Sequence, residues 1–435
     1  MIKRIYCFLY FFIPLPIFFD LSSGQLFWVP ATMASFNINP TIPVPIGTFV
    51  FMLILLLGYI MSVSNGRKTI YIFNIKTLLL IYLFLFPPFL IYSIFLIDLG
   101  FARSIQIFLP LVMVSLLSIP KEDTIKIAIT NNLFIGSGGF FTAHGVSVIL
   151  NSKNLFNPSY HTEFSGFYGI LIYQALVSYV GVLTMYLIYY VFCLSKEKIS
   201  LNKKSLIKNI SAVNFIAIVL YLLLASGRKI VYIELFMISF NITMFSLCYV
   251  LLKRKLIYST AWKIIGFFIL MINCLIFLIG SPMSSRLRSF IEGGGNVEPR
   301  VIIWQRSLNL FFSNPFETFF GFGGAGAPGL HNFFFDQIYR IGLPLFVILY
   351  GFFGYAIYRF IFISYRHACY RFSYLMFLVI LLSSLLLQSL INASISQPFY
   401  LINFLAVLIA GSMLFSFKNN PIQKNSFPGS LIKTK

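Results

Sequence analysis

The residues best suited to chemistry are arginines and one histidine in a polar segment of an otherwise apolar chain. The segment 281–340 contains His331 and five arginines: Arg286, Arg288, Arg300, Arg306 and Arg340. An arginine binds phosphate or carboxylate oxygens through paired N–H groups and stays charged, whereas a neutral imidazole can accept a proton. The pattern predicts a site for an anionic ligand, with a histidine that orients or deprotonates a hydroxyl group.

Two further charged residues lie upstream, in the stretch LLASGRKIVYIEL. Glu234 follows Arg228 by about 9 Å along a helix axis, at 1.5 Å per residue. A carboxylate in so apolar a stretch is costly unless it is paired or faces water, so Glu234 is either a functional partner or half of a structural ion pair. Each outer arginine has the same two interpretations, a ligand contact or a pair with a nearby acid such as Glu292, Glu298 or Glu317.

The elements that position these residues follow from the composition. Of the 435 residues, 59% are hydrophobic and 10% are charged, whereas about a quarter of the residues of a soluble domain are charged. Mean hydropathy is +0.90. We therefore predict an all-α, polytopic integral membrane protein.

Long apolar runs predict twelve transmembrane helices, because crossing about 30 Å of hydrocarbon takes roughly 20 apolar residues. They cover 5–19, 46–63, 78–97, 104–119, 127–150, 167–194, 210–225, 230–252, 262–279, 341–363, 372–391 and 399–417. The first is short and contains prolines, but no signal-peptide cleavage site follows it, so we interpret it as an uncleaved helix. The chain then divides into nine helices in 1–280, a large outer loop at 281–340, three helices in 341–417 and a tail at 418–435.

Basic residues predict the orientation, since Lys and Arg are retained on the cytoplasmic side. With both termini inside, inner segments carry 23 of the 32 basic residues and 3 of the 11 acidic ones. The net charge of +21 is therefore a topological signal, and no nucleic-acid partner is needed to explain it. Seven of the nine outer cations are Arg, against six of the 23 inner ones, which indicates a phosphorylated ligand at the outer face.

Other chemistries have no support in the sequence. The inner loops are too short for an ATPase domain, and the glycines of GFGGAGAPG are not followed by the Lys-Ser/Thr of a phosphate-binding loop. The five cysteines have no metal-ligand spacing and fall in spans or inner segments, so we predict no metal, no cofactor and no disulfide framework.

Local patterns predict two further features. After Pro299, apolar residues recur at helical spacing at Val301, Trp304, Leu308 and Phe311, which indicates an amphipathic helix on the membrane surface that ends at the glycine and proline cluster. The fifth span holds small and polar residues typical of close helix packing: Asn131, Asn132, Gly136, Gly138 and Gly139.

The order of these motifs resembles the O-antigen polymerase and ligase superfamily. The matching phrases are SGRK, SSRLRS, PRVIIWQ, NPFETFFGFGG and HNFFFD, over residues 224–350, about a third of the chain. The polymerase (Wzy-type) branch is the better match, since its members are similarly rich in Phe, Ile and Tyr with about this many spans. Phe333, Phe334 and Phe335 depart from the His-Asn-aromatic-Leu pattern that is typical of the ligase branch.

The resemblance implies transfer of a growing glycan from undecaprenyl pyrophosphate to a sugar hydroxyl of the next lipid-linked repeat unit, at the periplasmic face of the bacterial inner membrane. The substrates would be undecaprenyl-pyrophosphate-linked oligosaccharides, with a chain-length regulator and a flippase as membrane partners. His331, Arg288 and Arg300 would form the catalytic set. Arg228, Arg286 and Arg306 would bind the pyrophosphate. Trp304 and Asn332 would bind sugar, and Glu234 would be a partner within the membrane.

Two alternatives stay open. A ligase would move the finished glycan onto lipid A core with the same arginines and histidine. A flippase or other secondary transporter suits twelve spans equally well, but would place charges at mid-membrane and show repeat symmetry between its halves.

Overall fold

The computed structural model describes residues 2–13, 46–64, 69–91, 100–120, 122–151, 188, 241, 297–321, 332–391 and 398–416. Most of these residues are helical. Apart from the single residues 188 and 241, the predicted spans at 167–194, 210–225, 230–252 and 262–279 lie outside the described ranges. The same holds for Arg228, Glu234, Arg286, Arg288 and His331.

The described elements, in chain order, are five helices and two short strands followed by six helices. The first group is α1 (Ile2–Phe12), α2 (Ile46–Ser64), β1 (Thr69–Tyr71), α3 (Ile75–Leu90), α4 (Gly100–Ser115), β2 (Ser118–Pro120) and α5 (Asp123–Asn151). The second is α6 (Val297–Ser313), α7 (Pro315–Phe320), α8 (Phe333–Ile341), α9 (Leu343–His367), α10 (Arg371–Ile391) and α11 (Pro398–Leu414).

Eight of the predicted spans overlap described helices; the predicted ends at 19 and 97 lie outside the described residues, and the end at 119 lies in strand β2. The helix α5 begins four residues before its predicted span, at Asp123, because an acidic residue in the first turn is stabilised by the positive end of the helix dipole. Within the described residues, one helix, α9, is long and apolar enough to cross a bilayer, and 28% of its most apolar stretch is buried. The other apolar helices are shorter or more polar.

A two-stranded ribbon was not predicted from the sequence. Strands β1 and β2 pair antiparallel, with Ile70 opposite Ile119. Each strand has three residues, which is too few for a detectable alternation of apolar and polar side chains. The ribbon ties the segment after α2 to the segment after α4.

Helices α1 and α5 pack closely and run parallel. Lys3 Nζ lies 2.9 Å from Glu122 Oε1, and farther along both helices Asn132 Nδ2 donates to the Cys7 carbonyl at 2.7 Å. Beyond these, the α carbon of Gly136 faces the backbone of Phe11 with no room for a side chain. Close packing of the fifth span is thus confirmed at Asn132 and Gly136, and the shared direction is the one that the predicted topology requires of spans one and five.

This packing predicts opposite outcomes at two glycines of the same helix. Gly136→Ala should destabilise the protein by about 1–3 kcal/mol, because the new methyl group would overlap the Phe11 carbonyl. Gly139→Ala is the matched control, since open space surrounds that position. Thermal unfolding of the detergent-purified protein measures both, and equal unfolding midpoints for the two variants would show that α1 does not lie against Gly136.

One end of the helix assembly, which we call the basic end, gathers segments rich in Lys and Arg. The ion pair of Lys3 with Glu122 is at this end, and the ribbon is next to it. Just after β1, the Phe73 ring lies 5.2 Å from the Arg359 guanidinium of α9. The turn after α9 contacts the end of α11, where the amides of Cys369 and Tyr370 both donate to the Phe415 carbonyl. Five segments of the chain therefore meet at the basic end.

The core and the outer surface are both apolar. Residues 401–416, which include most of α11, are all buried, and the Tyr374 hydroxyl of α10 hydrogen-bonds Ser412 at 2.8 Å in that core. Helix α3 exposes a run of large apolar side chains to the outside: Leu79, Leu80, Leu83, Phe84 and Phe86. So large an apolar surface is unusual on a protein surrounded by water.

Candidate functional site

The described part of the predicted outer loop consists of three helices that pack beside the beginning of α9. Helix α6 carries the predicted Arg300, Trp304 and Arg306. It begins at Val297, two residues before Pro299. It ends at Ser313, not at the glycine cluster, because a residue that precedes proline is disfavoured in helical conformation, and Asn314 precedes Pro315.

Asn314 turns the chain from α6 into the short helix α7. Its side chain accepts a hydrogen bond from the Phe316 amide at 3.1 Å and caps the new helix. The Thr318 hydroxyl donates back to the Phe311 carbonyl of α6 at 2.7 Å. Helix α7 then ends at Gly321, where φ is +78°.

Helix α8 was not predicted; its nine residues are the last eight of the predicted loop and the first of the predicted tenth span. Asn332 caps it by accepting a hydrogen bond from the Phe335 amide at 3.1 Å, and the Asn332 side chain is almost entirely buried. This hydrogen bond is structural, and the sugar-binding role that the resemblance implies for Asn332 stays a prediction. His331, which precedes it, lies outside the described residues.

Helix α8 folds back along α9 as a hairpin through Gly342. Phe333, at the start of α8, has its ring 5.0 Å from that of Tyr350 in α9. Tyr350 is about 10 Å along the axis from Leu343, the first residue of α9. The chain therefore enters α8 two turns down the side of α9 and returns to the start of α9 at Gly342.

The ends of α7 and α8 meet at two glycines that both have φ of +78°. The space where a side chain would stand at Gly321 is filled by the Arg340 backbone, and at Gly342 by the Phe319 backbone. Glycine is required at both positions by conformation and by space. This contact locks α7 against the α8–α9 turn.

An aromatic cluster joins α6 to α8. Phe311 and Tyr339 are buried with ring centroids 6.2 Å apart, and Trp304 meets Phe335 edge-to-face at 5.7 Å. Burial, with the nearby Glu317 carboxylate, raises the pKa of the Tyr339 hydroxyl above 10.0, so it stays a neutral donor at physiological pH. Trp304 is half-buried, so part of its ring stays accessible to a ligand.

The same contacts establish the direction of the two helices. Trp304 meets Phe335 and Phe311 meets Tyr339, so α6 and α8 run the same way. One turn before Trp304 is Arg300, and one turn before Phe335 is Asn332. The packing therefore brings position 300 and the residue after His331 to the same end of the helix pair.

Arg300 and Arg306 lie on different faces of α6. At 100° per residue, position 300 is in line with Trp304, Ser307 and Phe311, the face that packs towards α8. Arg306 is about 120° away, on an exposed polar stripe with Gln305, Asn309 and Ser313. The predicted helix and its apolar face at Trp304 and Phe311 are observed, but that face packs on α8 and the opposite face also exposes Ile302 and Leu310. The helix places on different faces the arginines predicted to be catalytic, Arg300, and pyrophosphate-binding, Arg306.

A buried polar chain between α8 and α9 was missed. Asp336 accepts two hydrogen bonds from Arg340, Nε at 2.9 Å and Nη2 at 3.1 Å. Gln337 Nε2 donates to Asp336 at 3.3 Å, and the Tyr350 hydroxyl donates to Gln337 Oε1 at 3.5 Å. The four-residue spacing of Asp336 and Arg340 could have signalled this pair, and it occupies one of the outer arginines.

The aromatic cluster predicts unequal effects at two adjacent phenylalanines. Phe311→Ala should destabilise the protein by about 3–5 kcal/mol and loosen α6 from α8, because Phe311 is fully buried. Phe312→Ala should have little effect, since that ring is 59% exposed. Protease digestion of the purified protein compares them, with faster cleavage within α6 expected in the Phe311 variant alone. Equal digestion of the two variants would contradict the observed packing.

Comparison with known proteins leaves the family open. No protein-family model matches the chain, and no curated protein matches it. Among the described residues, no group of three His, Cys, Asp or Glu side chains is arranged to hold a metal ion. The function is therefore inferred from the residues and from how α6, α8 and α9 bring them together.

Proposed function

We propose that this protein is an O-antigen polymerase, a glycosyltransferase of the bacterial inner membrane. It transfers the growing glycan of one undecaprenyl-pyrophosphate-linked chain to a sugar hydroxyl of the next lipid-linked repeat unit in the periplasm. In this proposal twelve helices cross the membrane, both termini are cytoplasmic, and a chain-length regulator and a flippase act alongside. Nucleic acid has no part in it.

The observation that carries the proposal is the parallel packing of α6 on α8. Two phrases of the family resemblance, PRVIIWQ and HNFFFD, are separated by a glycine-rich stretch in the sequence. The contacts of Trp304 with Phe335 and of Phe311 with Tyr339 join the helices that contain them. The helix that contains Arg300 and the helix that begins just after His331 in the sequence thereby belong to one packed unit.

The chemistry proposed for this unit matches its residue types. The donor carries its own activating group, so the reaction requires no ATP, and the departing pyrophosphate gains negative charge as the glycosidic bond breaks. Arg300, with Arg228 and Arg288, stabilises that charge through hydrogen bonds worth about 1.5–3 kcal/mol each. His331 orients the acceptor hydroxyl or removes its proton.

Two structural features support the membrane location. Helix α3 exposes a run of large apolar side chains, and only a small fraction of the apolar stretch of α9 is buried in the protein. Such surfaces are better suited to contact with lipid than with water. At the basic end, the contacts join five segments that the charge pattern assigns to the cytoplasm: the N-terminus, the connections after the second, fourth and tenth spans, and the end of the twelfth.

Deletion of the gene in its host, followed by gel display of lipopolysaccharide, tests the function. A polymerase mutant should give core that carries a single repeat unit, because flipping and ligation still operate. Bare core would overturn the proposal in favour of a ligase or flippase. An unchanged ladder would also overturn it, and would direct attention to another glycan.

A further inference from the structure

The strongest feature outside the proposed active site is a cleft of about 760 Å³ between α1 and α5, at the basic end. Its upper rim is polar and contains Lys3, Arg4, Glu122 and Thr124. Farther along the two helices its lining is mainly apolar and contains Ile5, Phe8, Ile125 and Ala128. A molecule that fits this cleft must be anionic at one end and apolar below.

The charges on the rim do not cancel. Lys3 Nζ donates to both oxygens of Glu122, at 2.9 and 3.0 Å, which neutralises that pair. Among the described residues that line the cleft, Glu122 is the one acid, so the exposed guanidinium of Arg4 leaves the rim with net positive charge. Arginine is the side chain best matched to phosphate oxygens.

The order of polar and apolar groups repeats on both helices. On α1, Arg4 and Phe8 are four residues apart and lie on one face, so the cation stands one turn above an exposed aromatic ring. On α5, Thr124 and Ala128 have the same spacing. The groups that suit an anion therefore lie at one level of the cleft, and the groups that suit an apolar chain begin about 6 Å farther along the helix axes.

We propose that this cleft binds an anionic phospholipid of the cytoplasmic leaflet. The phosphate pairs with Arg4 and accepts a hydrogen bond from Thr124, while an acyl chain lies along Phe8 and Ala128. Basic pockets between helices on the cytoplasmic side suit such head groups, because anionic lipids are enriched there and each basic residue contributes about 1 kcal/mol. The site depends on the membrane orientation and is independent of the glycosyltransferase activity.

Native mass spectrometry of the detergent-purified protein tests the site, with phosphatidylglycerol and phosphatidylcholine as probes. We expect saturable binding of phosphatidylglycerol that phosphatidylcholine does not reproduce. Arg4→Gln should weaken it about fivefold, the effect of one basic residue. Arg366→Gln is the matched control, since Arg366 is also exposed but lies in the last turn of α9, outside the cleft.

A second variant separates a shaped site from general electrostatic attraction. Ala128→Phe keeps every charge and fills the apolar wall, so it should also weaken phosphatidylglycerol binding. Equal binding of both lipids, equal loss in the Arg4 and Arg366 variants, or full binding to Ala128→Phe would each overturn the proposal.

Discussion

Replacing Arg300 with alanine should abolish the lipopolysaccharide ladder and leave single-repeat core, while the protein still inserts in the membrane. Arg300 is in line with the face of α6 that packs towards α8, at the end where Asn332 begins that helix. Loss of one charge-stabilising donor in an acyl- or phosphoryl-transfer site costs about 10²–10³ in rate, and we expect a comparable loss here. Complementation of the deletion strain, with the protein level checked by immunoblot, measures the effect.

Three comparisons make the Arg300 result specific. Arg288→Ala should be equally damaging, since the family resemblance gives both arginines a catalytic role. Arg306→Ala should lose less activity, because Arg306 lies about 120° around α6 on the exposed polar stripe. Asn309→Ala, on that stripe, is the control with normal activity. A full ladder from Arg300→Ala at normal protein level would remove Arg300 from the site.

Asp336→Ala should be among the most destabilising single substitutions in the described part of the chain. It removes the carboxylate that accepts two hydrogen bonds from Arg340, at 2.9 and 3.1 Å. The Arg340 side chain is only 22% exposed, so water cannot fully replace that partner. Breaking a buried ion pair from one side costs about 3–5 kcal/mol, because a charge stays in an apolar surrounding without compensation. Thermal unfolding in detergent measures the loss.

A double variant distinguishes loss of the pair from loss of a polar contact. Asp336→Leu combined with Arg340→Met removes both charges at similar volume, and it should recover most of the stability lost in Asp336→Ala. If the double variant unfolds at the temperature of the single one, the buried charge is not the cause.

Much of the helical architecture was predictable, because long apolar runs in this chain have one structural solution. Spans at 46–63, 372–391 and 399–417 match α2, α10 and α11 within a few residues. Helix α6 and its amphipathic pattern followed from the spacing of Trp304 and Phe311. These predictions depend on local periodicity, which a single sequence contains in full.

The features that escaped prediction depend on contacts between distant segments. The pairing of β1 with β2 joins residues about fifty positions apart, and the ribbon is too short to have a pattern of its own. Helix α8 is stabilised by an asparagine cap, by the Gly321–Gly342 contact and by Tyr350, none of which is periodic. Which of positions 300 and 306 lies on the side of α6 that packs towards α8 follows only from the contacts between these two helices.

The pairing of α1 with α5 imposes a delay during biosynthesis. Lys3 and Glu122 are 119 residues apart, so α1 emerges from the ribosome well before its partner exists. At about 5–20 residues per second, the interval is about 6–24 s. During that time the side of α1 that later faces α5, which includes Cys7 and Phe11, must contact something else, such as lipid or the insertion machinery. The interface between α1 and α5 can therefore form only after α5 has been synthesised.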